Sequence, residues 1–108
     1  MSVKPVSPSE ALDLKVDTTP DFVFEAWNRV IVRNLKDGVS KFFQSELIFE
    51  ILDCSNDGEL TSFNVTDRGW LDMEPVFRRL GWKVVYDKPG YNEIYEPFFE
   101  FTLPNNQS

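Results

Sequence analysis

The chain contains no histidine. That removes the commonest general base and metal ligand, and with it every Ser-His or Cys-His nucleophile arrangement. A single cysteine, Cys54, excludes a disulfide within the chain and fits a reducing compartment. No basic neighbour in sequence activates its thiol. The five glycines are scattered punctuation, so no glycine-rich phosphate cradle forms. No apolar run approaches the ~20 residues of a membrane span. The opening Met1-Ser2-Val3-Lys4-Pro5 carries no apolar signal-peptide core. Finally, residues 42–67 hold no lysine or arginine at all.

What is present reads as one folded α+β domain over residues 1–108, with a loose arm at 1–6 and a loose tail at 104–108. Ten phenylalanines in 108 residues supply the core that a disordered chain lacks. The net charge of −7 is unevenly placed. Residues 1–41 balance six bases with six acids, and residues 68–108 set five bases against six acids. Six of the seven excess negative charges fall on Glu46, Glu50, Asp53, Asp57, Glu59 and Asp67. Such a band repels phosphate. It is either a solvated face or a surface that docks on a basic site of another protein.

Apolar spacing orders the chain. Ser7-Pro8-Ser9-Glu10 is a capping box with proline at the first helical position, predicting a helix over 8–15. Thr19-Pro20 repeats the signal for a longer helix over 20–36, buried through Phe22, Val23, Ala26, Trp27, Val30, Ile31 and Leu35, with Asp37-Gly38 as its stop. Ser40 to Leu52 reads as a third helix, on which Phe42 and Phe49 widen the apolar face. Residues 53–67 read as the longest irregular stretch.

The last third gives the sharpest pattern. Met73, Val76, Phe77 and Leu80 fall at i, i+3, i+4 and i+7, with Asp72 as cap and Gly81 as stop. Trp82, Val84 and Tyr86 then alternate with Lys83, Val85 and Asp87, predicting a strand with one greasy face. Lys88-Pro89-Gly90-Tyr91 fits a type II turn, and Phe99, Phe101 and Leu103 mark the inward side of a return strand. Pro97 marks an edge or a bulge. The expectation is three to four helices packed on a C-terminal antiparallel hairpin, with a winged-helix-like outline. Part of 30–33 or 60–66 is a candidate third strand.

Four groups are candidates for function. Eighteen acids in 108 residues make incidental carboxylate pairs certain, so no catalytic residue is assigned and the chain reads as non-enzymatic, without cofactor or metal. Asp53-Cys54-Ser55-Asn56-Asp57-Gly58 does match the opening of a calcium-binding EF-hand loop, but Asn64 stands where a bidentate Glu is needed. An ordinary Asp-Gly turn explains it as well. The acids Glu46, Glu50, Asp53, Asp57 and Glu59, and the tyrosines Tyr86, Tyr91 and Tyr95 at the turn, are the candidate partner-binding surfaces. Arg78, Arg79, Lys83 and Lys88 are the alternative, a phosphate-contacting set on a helix and wing. Asp72, Glu74, Asp87, Glu93 and Glu96 oppose it in the same region.

Residues 81–96, from Gly81-Trp82-Lys83-Val84-Val85-Tyr86 through Pro89-Gly90-Tyr91-Asn92-Glu93, with Phe99-Glu100-Phe101 behind them, resemble a module of small uncharacterised proteins of tailed bacteriophages. The resemblance is closest over 69–101 and looser over most of the chain. It implies a phage origin, helices followed by a terminal hairpin, and a place in the host bacterial cytoplasm or the virion. It carries over no catalytic residue. The functional expectation is binding to a host or phage protein, with nucleic-acid binding as the alternative; the oligomeric state is not legible.

Overall fold

Ser7 starts the first helix as its side chain predicts. The structure, a computed structural model, describes residues 5–104. Of the loose arm and tail, only Pro5, Val6 and Pro104 fall within it, and the remainder lies outside the described residues. In helix α1 (Pro8–Thr18) the Ser7 hydroxyl accepts the Glu10 N–H at 3.1 Å. The helix runs three residues past the expected end. Thr19 closes it, donating its hydroxyl to the Lys15 carbonyl at 2.6 Å, so Thr19 does not cap α2 (Asp21–Arg33); Pro20 holds that position.

The next segment corrects the sequence reading. Asp37 and Gly38 do not stop a helix. Both have positive φ, 53° and 82°, the signature of a two-residue type I′ hairpin turn. They join strand β1 (Leu35–Lys36) to strand β2 (Val39–Phe43), so residues 39–43 are extended rather than helical. Period-2 burial is hidden by the adjacent phenylalanines: Ser40 and Phe42 point inward, while Lys41 and Phe43 point outward. The buried Ser40 hydroxyl donates to the Ile31 carbonyl at 2.7 Å, which satisfies it. Residues 30–33 remain helical.

Helix α3 (Gln44–Ser55) therefore starts four residues later than its apolar spacing suggests, and Leu47 and Ile51 are its buried positions. The supposed irregular stretch shrinks to residues 56–61, because α4 (Ser62–Asp67) follows under a Thr61–Asn64 capping box. Helix α5 (Glu74–Arg79) buries Val76 and Phe77, with Met73 rather than Asp72 at its cap, and Leu80 is 70% exposed. Gly81, at φ 112°, ends it as expected.

Strands β3 (Lys83–Asp87) and β4 (Phe98–Thr102) form the expected antiparallel hairpin. Their connection is a ten-residue loop, 88–97, not a tight type II turn, for Gly90 lacks the positive φ that such a turn requires. Nor is β4 an edge. It lies between β2 and β3 in a four-stranded antiparallel sheet of order β1-β2-β4-β3, and Pro97 stands just outside it. The outcome among the described residues is α+β with five helices and four strands.

Helices α2 and α5 meet the inner face of the sheet through their aromatic residues. Trp27 of α2 is wholly buried there, 5.0 Å from Phe99, 5.4 Å from Phe77 and 5.9 Å from Phe101. Its indole N–H donates to the Trp70 carbonyl at 2.9 Å, so the one polar atom is satisfied. Truncating a buried aromatic costs about 3–5 kcal/mol, a large share of the ~5–15 kcal/mol that holds a domain folded. This cluster fixes the scaffold on which the surface residues stand.

Candidate functional site

The acidic band divides into two parts. Glu46 and Glu50 lie one turn apart on α3 and face α2. The Arg33 guanidinium forks between them, reaching Glu46 at 2.9 Å and Glu50 at 2.8 Å. Asn34 donates to the same Glu46 oxygen at 3.0 Å, and Arg29 approaches Glu50 at 3.6 Å. The hydrogen bond from Arg33 holds the Glu50 carboxyl below its ordinary value of 4.5. Cys54, one turn on, rests its thiol 3.7 Å from Glu50, and burial pushes that thiol up, away from reactivity. These two acids hold α2 and α3 together.

Asp53, Asp57, Glu59 and Asp67 form the other part. None of the four joins an ion pair among the described residues. Asp53 sits in the last turn of α3, which carries no base. Asp57 accepts the Glu59 N–H at 3.0 Å, an Asx turn that fixes the loop. The EF-hand reading fails on its backbone. Asp53 to Ser55, its first three positions, are still helical, and Asn64, its twelfth, caps α4 by accepting the Thr61 N–H at 3.0 Å. No cluster of three or more Asp, Glu or Cys suited to a metal occurs among the described residues.

The same segment holds a feature that the sequence reading missed. A groove of about 370 Å³ runs between α3 and the start of α4, lined by Ser45, Ile48, Phe49, Leu52 and Ser62. Phe49 at its lip is 75% exposed, and Phe63, beside Ser62, is 71% exposed. Phe49 stands two residues, about 200° of helical turn, from Leu47, so it falls off the buried Leu47–Ile51 line. That spacing was the available signal, since an apolar residue opposite the buried line is an exposed one.

The tyrosines do not form one surface. Tyr86 faces inward, its ring 4.7 Å from Phe99 and its hydroxyl donating to Gln44 at 2.7 Å; burial raises its pKa. Tyr95 lies at the opposite face, donating to Asp87 at 2.5 Å and to the Lys88 carbonyl at 2.7 Å. The hydrogen bond to Asp87 pushes its phenol up to about 12. Tyr91 and Ile94 are fully exposed on the intervening loop.

The four bases are also separated by use. The Arg78 guanidinium donates to the Val84 carbonyl at 2.8 and 3.3 Å, on the edge of β3 that faces away from β4. Arg79 pairs with Asp13 at 2.9 Å and donates to the Ser9 carbonyl, pinning α1 to α5. Only Lys83 and Lys88 stand free of such contacts among the described residues. No known protein family, curated protein or solved structure matches the chain.

Proposed function

We propose that this chain is a non-enzymatic binding protein of a tailed bacteriophage. It docks on another protein, either a host protein that it inhibits or redirects, or a neighbour in the virion. The observation that carries this reading is Phe49, 75% exposed at an apolar groove, with Phe63, 71% exposed, next in sequence to the groove residue Ser62, in a segment with no base. An exposed aromatic at the lip of an apolar groove extends the apolar surface into a patch, and aromatic residues are enriched among the anchors of interfaces. The phage origin rests on the resemblance of residues 69–101. A nucleic-acid role has less support, since Arg78 and Arg79 are engaged within the fold and the net charge is −7.

Capture from bacterial lysate on immobilised protein tests the reading, with Phe49→Ser/Phe63→Ser as the comparison bait. The expected result is one dominant protein that survives nuclease, is released by high salt and is absent from the variant. Material lost on nuclease treatment, or retained equally by the variant, would overturn it. If only infected-cell lysate yields the protein, the virion arm is the one supported.

A further inference from the structure

We infer that the α3–α4 groove receives a basic amphipathic helix of the partner protein. The inference rests on the binding reading above and gives it an occupant. Three features of the groove select that shape and charge. α3 lines it from Ser45 to Leu52, about 11 Å at roughly 1.5 Å per residue, and Ser62 at the start of α4 completes the lining. A helix segment of about two turns matches that length. The floor is apolar, Ile48 and Leu52, and the rim is small or aromatic, Ser45, Ser62 and Phe49. Such a trough takes the i, i+3, i+4 and i+7 side chains of an amphipathic helix rather than a flat sheet.

Charge sets the rest of the chemistry. The negative end of the α3 dipole coincides with Asp53, and no lysine or arginine stands in its last turn. Asp57 and Glu59 follow immediately, and none of the three is ion-paired among the described residues. Elsewhere on this helix the acids are answered: Glu46 and Glu50 have Arg33. The chain directly after Leu52, the last α3 residue of the lining, therefore carries uncompensated negative charge, which a lysine- or arginine-bearing helix answers. The same charge argues against a second copy of this chain as occupant. Its most exposed apolar knob, Tyr91 and Ile94, is flanked by Glu93 and Glu96 and would meet like charge.

The test uses the full chain and two fluorescein-labelled helical peptides of about twelve residues, long enough to span that two-turn length. One is patterned with Leu and Lys, the other with Leu and Glu in the same positions. Anisotropy should show saturable one-to-one binding of the Leu/Lys peptide and none of the Leu/Glu peptide. Phe49→Ser/Phe63→Ser, which leaves the charge unchanged and alters only exposed side chains, should weaken binding roughly tenfold or more, the scale of a lost aromatic anchor. Asp53→Asn/Asp57→Asn/Glu59→Gln should weaken it and flatten its salt dependence.

Equal binding by the phenylalanine variant would overturn the proposal, because bulk charge would then explain the attraction. So would saturable binding of the Leu/Glu peptide, or failure of both peptides. If both fail while the Phe49/Phe63 variant still loses its lysate partner, the occupant is wrong and the binding reading stands. Concentration-dependent self-association abolished by the same variant would replace the helix with a second copy.

Discussion

Arg33 commits its whole guanidinium to two carboxylates on a neighbouring helix, and that one residue decides what the acidic band can do. With Glu46 and Glu50 held by Arg33, the acids of the band that present charge outward are Asp53, Asp57, Glu59 and Asp67. The arrangement has a pH signature. Glu50 titrates below its ordinary 4.5 in the folded state and near that value when unfolded. Its contribution to stability is therefore fully present above about 4.5 and is lost as pH falls through the lower folded value. Glu50→Gln should lower Tm at pH 7 by a few degrees, the scale of about 1 kcal/mol in a domain this size. It should also make the loss of Tm between pH 5 and pH 3 shallower. An acid slope identical to that of the parent chain would show that the pair does not contribute. Local sequence could not reveal this neutralisation: Arg33 lies 13 and 17 residues from its two acids.

Single elements were legible to the extent that their signals were local. The Ser7 cap, the Gly81 stop and the alternation of Trp82, Val84 and Tyr86 were all read correctly, because each is settled within a few residues. Residues 35–43 were misread, because Asp37-Gly38 serves a helix end and a hairpin equally well; the pairing of β2 with β4, some sixty positions away, decides between them. The turn at Lys88-Pro89-Gly90 failed for a related reason: Tyr95 ties the loop to Asp87 and holds it open. Arg78 acts at the same scale. By covering the outward carbonyl of Val84 it blunts the exposed edge of β3, a position that otherwise invites another strand. Arg78→Ala should cost about 1–2 kcal/mol in stability, the scale of a lost charged hydrogen bond. It should also produce concentration-dependent self-association in sedimentation velocity. A variant that stays as monodisperse as the parent would remove the edge-guarding role.

Over the whole molecule the aromatic cluster around Trp27 joins α2, α5 and the sheet, while α1 stands apart. No residue of α1 is buried, and the helix is held by the partly buried Leu12 and Val16 and by Arg79. Hydrogen exchange should show the α1 amides opening well below the global free energy, with the amides of α2 and β4 opening last. Arg79→Ala should lower α1 protection further while leaving Tm nearly unchanged. Protection of α1 equal to that of α2 would contradict the division. The central position of β4 bears on how the chain comes to be folded at all. During synthesis the helices and the β1–β2 hairpin leave the ribosome first, with the inward faces of Ser40 and Phe42 uncovered and one flank of β2 unpaired. The strand that closes both, Phe98–Thr102, is made only after all five helices and β3. Assembly of the sheet must wait on contacts between distant parts of the chain, which slows folding and prolongs the exposure of aggregation-prone surface. A ribosome paused before residue 98 would hold a chain with its helices in place and no completed core.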